Sequence, residues 1–302
     1  MIRILITGGS GFLGGNLLKI ASRQFGVYGT YHRFLPPDNG PWKWVHLDIR
    51  NRNEVDATLA AINPKAIIHA GGIGGIARCE ADKGAAYAVN VVGTGNVAQI
   101  ARRRGIRLIH VSTDLVFDGL KGHYTEDDQP NPVCCYGETK RRSEDAVSNL
   151  LENYSIVRSS LLFGWNRWSN VSSGSFAEGI LHELESGTHY QACGDEFRSP
   201  LSVGIFCECL MEFAAGEELT GLYHVCGSER ISAFDFAAML AEKAGLGRDL
   251  ILFGRSRSMS TPGIVRPRDC SMSNKKAVSA LRTRIPTIED AINEMISSRH
   301  AR

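Results

Sequence analysis

Among the eight cysteines of this chain, at 79, 134, 135, 193, 207, 209, 226 and 270, there is no CxxC pair and no histidine at zinc-site spacing. Neither a metal centre nor a secreted disulfide framework is indicated. Thiols scattered through 302 residues point instead to a reducing compartment, the cytoplasm. Long apolar runs are missing as well. Nothing approaches the roughly 20 residues that span a bilayer, and glycines interrupt the apolar N-terminus too early for a signal sequence. Charge of one sign is not in excess: 34 basic residues face 32 acidic ones, for a net charge of +2. That balance excludes an extended nucleic-acid groove or a membrane patch as an expectation. The most basic stretch, "ARRRGIR" at 101–107, reads as cations at a helix C-terminus. No fixed-period repeat or low-complexity linker occurs, and 43% hydrophobic with 22% charged residues is ordinary globular composition. The length suits one large domain with an attached lobe.

What is present is an alternation. "IRILI" (2–6), "VYGTY" (27–31), "WVHL" (44–47), "AIIHA" (66–70), "RLIHVS" (107–112) and "YSIVRS" (154–159) read as short strands. Between most of them lie helical spacings, over Leu13 to Gln24, Val55 to Ile62 and Ala85 to Arg103, and "PVCCYGETKRRSED" (132–145) opens another helix. Apolar strands alternating with helices predict an α/β fold, a doubly wound parallel sheet of Rossmann type. After residue 160 the texture loosens, notably over 164–175, and helical patterns recur at 175–186, 203–215, 233–244 and 287–297. The expectation is a dinucleotide-binding domain over 1–160 and a smaller substrate-binding lobe over 161–302, partly returning to the sheet. Such a lobe, set over the carboxyl ends of the strands, would make a cleft.

"ILITGGSGFLGGNLL" sets Gly8, Gly11 and Gly14 between the first strand and the first helix. The spacing is GxxGxxG, and it serves a tight turn, close approach of backbone to a pyrophosphate, and close packing of helix on sheet. A strand-to-helix turn with surplus glycine is the plain alternative. At the end of the second strand an NAD site usually carries an acid. Here "GTYHRF" offers none before Asp38; Arg33, with His32, would meet a 2′-phosphate with positive charge. NADP is therefore favoured, with NAD as the alternative and an unliganded surface arginine as the bland one. Asp48 in "LDIR" could reach the adenine or simply be solvated.

"HVSTDLVFDG" places Ser112 and Thr113 just past a strand, Tyr136 follows Thr113 by 23 residues, and Lys140 lies one helical turn after Tyr136. "HAGGIGG" (69–75) is a small-residue loop suited to passing under a cofactor. With these motifs in hand, the chain resembles the extended short-chain dehydrogenase/reductases, and within them the dTDP-4-dehydrorhamnose reductase group. "STDLVFDG", "YGETK", "NVVGTGNVA" and "DEFRSP" carry the resemblance, tightly to about residue 165 and loosely beyond.

The chemistry fits those residue types. Reducing a ketone needs hydride at carbon and a proton at oxygen. A tyrosine of reference pKa about 10 gives its proton slowly at neutral pH unless a cation stabilises the phenolate. Tyr136 would be the general acid, Lys140 its tuner and, as in the family, a holder of the nicotinamide ribose. Thr113 would hydrogen-bond the substrate carbonyl. The resemblance further implies a cofactor site of Gly8, Ser10, Gly11, Phe12, Leu13, Gly14, His32, Arg33, Asp48, Ile49, Ala70, Gly71, Gly72 and Asn90 with Tyr136 and Lys140. It implies a nucleotide-sugar site of Ser112 and Thr113, with Arg198, Arg266 and Arg268 as candidates for the diphosphate. Each of those arginines could equally be a structural ion pair. No metal is expected. Relatives often dimerise through helices after the fourth and fifth strands, which raises a homodimer as an expectation.

Sugar-nucleotide dehydratases carry an Asp-Glu pair after the threonine; here Asp114 is followed by Leu115. Reduction of a nucleotide-linked 4-keto-6-deoxy sugar leads. An epimerase of the same superfamily, or a non-catalytic regulatory subunit like that of methionine adenosyltransferase, are the alternatives. "GGIGGIARCE" departs from the alanine-, tyrosine- and aspartate-containing loop of the reductases, which leaves the sugar open.

Overall fold

Seven parallel strands form the centre of the protein. The computed structural model describes residues 2–37, 40–168, 174–255 and 264–301. Asp38 and part of the loosened 164–175 stretch lie outside them. In chain order the first half runs β1 (Arg3–Thr7), α1 (Phe12–Ala21), β2 (Gly26–Tyr31), β3 (Trp42–His46), α2 (Arg52–Ile62), β4 (Ala66–His69), α3 (Ile76–Ala81), α4 (Lys83–Tyr87), α5 (Thr94–Arg104), β5 (Arg107–Thr113), α6 (Cys135–Leu150) and β6 (Tyr154–Ser159). The second half adds β7 (Leu162–Phe163), α7 (Phe176–Glu185), β8 (Tyr190–Cys193), β9 (Phe197–Arg198), β10 (Leu201–Ser202), α8 (Val203–Ala215), β11 (Gly221–Val225), β12 (Ile231–Ser232), α9 (Ala233–Lys243), β13 (Ile251–Gly254), α10 (Lys275–Ala280) and α11 (Ile288–Ser297).

The sheet order is β3-β2-β1-β4-β5-β6-β11. All six pairings are parallel, so helices must cover both faces. On one face α1 and α8 bury Leu17, Leu18, Phe206 and Leu210 against Ile4, Ile6 and Ile68. On the other, α2 and α5 bury Val55, Leu59, Val97 and Ile100 against Leu5, Ile67 and Leu108. The order reverses between β1 and β4, and the crevice where a doubly wound sheet takes its ligand opens there.

All six sequence-read strands are present, within two residues at each end. The helix expected over Ala85 to Arg103 is broken. After α4 the chain makes a π-helical turn, Ala88–Gly93, before α5 begins. Such turns insert one residue into the helical ladder and cluster at functional sites; this one carries Asn90. Arg102, Arg103 and Arg104 of "ARRRGIR" occupy the last turn of α5, where Arg103 and Arg104 also pair with Asp56, whereas Arg107 opens β5 and is buried. Beyond residue 160, α7, α9 and α11 close a separate apolar cluster around Phe163 and Phe236. The second half also returns β11 to the sheet edge beside β6, a strand too mixed in "GLYHV" to stand out by hydropathy.

Candidate active site

The glycine loop follows from steric need. Gly8 has φ of +71°, a left-handed conformation that favours glycine, and a Cβ there would stand 2.8 Å from the Cα of Gly71. The loops after β1 and β4 therefore touch at the switch point. A Cβ on Gly14 would sit 2.0 Å from the Gly8 carbonyl oxygen, so α1 packs on the loop only with glycine. No side chain caps α1 at Gly11, which leaves its first N–H groups, over Phe12 and Leu13, for an anion. This cradle, with Ser10 half-buried at its rim, fits the pyrophosphate of a dinucleotide. Trp168 closes its outer side, donating its indole N–H to the Gly9 carbonyl at 2.9 Å and meeting Trp42 and Trp44 edge-on.

Beneath the loop the strand ends are tied together. The Thr7 hydroxyl meets His69 Nδ1 at 2.6 Å and accepts the Gly71 N–H at 3.1 Å. Asn90, fully buried in the π-helical turn, holds Ile73 by both its N–H and its carbonyl and donates to the Thr139 hydroxyl at 3.0 Å. It thereby clamps the Ala70–Gly72 loop to α6, one turn from Tyr136.

Thr113, Tyr136 and Lys140 converge. Thr113 ends β5, and Tyr136 and Lys140 share a face of α6. The close approach depends on Gly137, where a Cβ would lie 2.0 Å from the Leu115 carbonyl oxygen. The α6 N-terminus is fixed by the Glu80 carboxylate, which accepts the Cys135 N–H at 2.8 Å, and by the Cys134 thiol, which accepts that of Gly137. The Thr113 hydroxyl lies beside the Tyr136 phenol, donates to Asp114 at 3.1 Å and accepts from the Leu115 N–H.

The electrostatics differ from the simple expectation of a phenol acidified by its lysine. Burial holds the Tyr136 pKa above its usual value, with the neighbouring Cys79 and Asp114 adding to the effect, while the Thr113 hydrogen bond opposes it. Lys140 is itself drawn down from 10.5 to about 8 by burial, against the pull of Glu144. Its ammonium points to His110 Nε2 at 3.3 Å. At both groups desolvation outweighs the charges nearby.

Asp114 is the residue that sequence reasoning undervalued, weighing it only against a dehydratase. It is 3% exposed, and burial raises its pKa. It accepts from Ser160 at 2.8 Å and lies 3.7 Å from the Arg198 guanidinium. Arg198 in turn donates to the carbonyls of Phe197, Pro267 and Arg268. Arg198 and Arg266 both line a cleft of about 170 Å³ walled by Phe176, Tyr190 and Phe236. Arg266 pairs with Glu196 at 3.2 Å. Arg268 stands apart from that cleft, exposed and 3.8 Å from Asp195. Ser112, expected beside the substrate, is 2% exposed, and its hydroxyl has no hydrogen-bond partner among the described residues; β5 turns it behind Thr113.

At the β2 edge, His32 lies 3.6 Å from Asp48, while Arg33 is exposed. The Asp48 carboxylate is taken up by Arg50, in contacts of 2.7–3.1 Å that hold its pKa down at about 2. Ile49 beside it is buried against Gly93.

Comparison with known proteins agrees with this fold. The family model described as RmlD substrate binding domain matches residues 2–300. A dTDP-4-dehydrorhamnose reductase of Aggregatibacter actinomycetemcomitans is 31% identical over 255 residues, 81% of this chain and 80% of that one. Methionine adenosyltransferase 2 subunit beta of Xenopus laevis is 28% identical over 248 residues, 81% of this chain and 72% of that one. The crystal structure of a dTDP-4-dehydrorhamnose reductase from Bacillus anthracis in complex with NADP superposes with a TM-score of 0.86 at 24% identity, covering 99% of this chain and 100% of that one. With a glycine cradle, a Thr–Tyr–Lys cluster and an arginine-lined cleft on a seven-stranded parallel sheet, the chain belongs to the RmlD substrate binding domain family.

Proposed function

We propose that the protein is an NADP(H)-dependent reductase of a nucleotide-linked 4-keto-6-deoxy sugar, working in the cytoplasm. The observation that carries this reading is the convergence of Thr113, Tyr136 and Lys140 at the strand ends, between the glycine cradle and the arginine-lined cleft. The reductase names of its relatives support it, as does the NADP bound in a structural neighbour. Eight free thiols are consistent with a reducing compartment.

Gly8, Ser10, Gly11, Phe12, Leu13 and Gly14 would hold the pyrophosphate, with Ala70, Gly71 and Gly72 beneath the cofactor and Asn90 fixing that loop. Arg33 and His32 would take a 2′-phosphate; Asp48, its carboxylate committed to Arg50, would border the adenine together with Ile49. When bound, NADPH supplies the hydride that goes to the carbonyl carbon. Tyr136 gives the proton to the carbonyl oxygen, and its raised pKa keeps it protonated throughout the neutral range. Lys140, charged below about pH 8, stabilises the phenolate left behind and holds the ribose. Thr113 orients the carbonyl. Its single hydroxyl proton goes to Asp114 in the resting site, so the carbonyl must take that hydrogen bond over.

Arg198 and Arg266 would grip the diphosphate, with the base among Phe176, Tyr190 and Phe236. Arg268 would contribute only by shifting from its exposed position. This division makes 1–160 the cofactor domain and 161–302 the substrate lobe. A panel of dTDP-4-keto-6-deoxy sugars mixed with NADPH tests the reading by loss of nicotinamide absorbance. Turnover supports it. Tight NADPH binding without turnover, together with a co-purifying partner, would favour the regulatory role suggested by the likeness to methionine adenosyltransferase 2 subunit beta. Product isomerisation without net NADPH consumption would favour an epimerase.

A further inference from the structure

Two buried histidines lie behind the proposed catalytic lysine, and nothing in the reaction above uses them. His69 on β4 and His110 on β5 stack with centroids 5.4 Å apart and planes 26° from parallel. They are 1% and 0% exposed. His69 is pinned at both nitrogens, by Thr7 at 2.6 Å and Thr94 at 3.0 Å. His110 offers Nε2 to two neighbours, the Ser143 hydroxyl at 2.9 Å and the Lys140 ammonium at 3.3 Å. Its Nδ1 is buried with no partner among the described residues.

The hydrogen count decides what this arrangement does. Ser143 has one hydroxyl proton and gives it to the Lys140 carbonyl at 2.7 Å. Toward His110 it can then only accept, which requires the proton on Nε2. Lys140 has donors only, so its contact requires the lone pair on Nε2. The two contacts therefore belong to alternative tautomers of one ring. Neither ring carries charge at neutral pH: burial, with Lys140 adding to it, lowers the His69 pKa to about 3 and puts that of His110 well below its usual value.

We propose that His110 is a positioning residue for Lys140. Its Nε2 takes one N–H of the ammonium from behind and leaves two facing the cofactor cleft, while the stack on His69 holds the ring in place. This inference rests on the role given to Lys140 above, but its test does not require turnover. The titratable groups that face Lys140 are Tyr136 and Glu144 on α6, Cys79 on α3, His110 on β5 and His69 on β4. Glu144 is bound by Arg158 through both oxygens, and burial pushes the Cys79 thiol up to about 12. That leaves His110 as the acceptor in direct contact with the ammonium.

The experiment follows the Lys140 side chain by Cε NMR in apo protein carrying ¹³C-lysine, assigned through Lys140→Met, alongside NADPH affinity by fluorescence. Wild type is expected to titrate near 8. His110→Phe keeps the ring stack and loses the acceptor. It should lower the Lys140 midpoint by about one pH unit, since hydrogen bonds to charged groups are worth that much, and weaken NADPH several-fold. His110→Gln, whose amide oxygen reaches the place of Nε2, should restore both. Ser143→Ala removes the competing tautomer and should raise the midpoint. Midpoints within about 0.2 of wild type in both His110→Phe and Ser143→Ala would overturn the proposal. If His110→Phe does not fold, the opposite sign expected of Ser143→Ala still decides it. A wild type that titrates as predicted yet reduces no sugar would sink the proposed function and leave this inference standing.

Discussion

Replacing Lys140 by methionine should make the protein more stable while destroying its proposed activity. Lysine 140 is held at about 8 in the fold, against 10.5 in the unfolded chain. Because the folded state binds this proton more weakly, burial of the charge costs stability. The cost is complete below pH 8, shrinks between 8 and 10.5, and vanishes above that. The gap of about 2.5 pH units corresponds to about 3 kcal/mol. Methionine fills similar space without charge and forfeits the contact to His110 at 3.3 Å, worth about 1 kcal/mol. The net gain at pH 7 is about 2 kcal/mol, or roughly 4 °C in Tm for a chain of this size. By pH 10 the residual penalty is about 1 kcal/mol, and the advantage should have disappeared. Urea unfolding of both proteins at pH 7 and pH 10, with m-values compared, measures this. A variant no more stable than wild type at pH 7, or one whose advantage persists unchanged at pH 10, would refute the assignment of a buried, destabilising ammonium.

Other outcomes follow from the same geometry. Trp168→Phe loses the indole hydrogen bond to Gly9 and should cost about 1–2 kcal/mol of stability, with a several-fold weaker NADPH affinity in fluorescence titration. Gly14→Ala drives a methyl to 2.0 Å from the Gly8 oxygen and should abolish NADPH binding in the same assay, since either α1 or the loop must move. Arg198→Ala removes a cleft-lining guanidinium and the countercharge 3.7 Å from Asp114. It should raise KM for the nucleotide sugar at least tenfold in steady-state kinetics, with NADPH affinity little changed.

Much of the sheet was legible because parallel strands buried on both faces read as short apolar runs. "AIIHA" and "RLIHVS" could hardly be anything else. The strand β11 was not, because "GLYHV" is half polar and its partner β6 lies more than sixty residues earlier. The break in the helix around Asn90 was invisible for a different reason. A π-helical turn keeps helical composition, and only its hydrogen bonds to Ile73 and Thr139 reveal why the extra residue is there. In the candidate site, the positions of Thr113 at a strand end and of Tyr136 and Lys140 on one helix face were readable from spacing. The contacts of Asp114, Trp168 and His110 were not, because each is made with a neighbour distant in sequence: Arg198, Gly9 and Lys140 respectively. Spacing also could not tell that Arg198 and Arg266 line one cleft while Arg268 stands outside it.

The central claim is that Tyr136 protonates a sugar carbonyl as hydride arrives at its carbon. The most direct measurement uses NADPH deuterated at the transferred position, a dTDP-4-keto-6-deoxy sugar, and NMR of the product for wild type and Tyr136→Phe at matched cofactor occupancy. The account predicts stoichiometric deuterium at C4 in the wild-type product and a loss of at least a thousandfold in rate for the variant, with NADPH binding within about threefold. Deuterium transfer at an undiminished rate in Tyr136→Phe would contradict it.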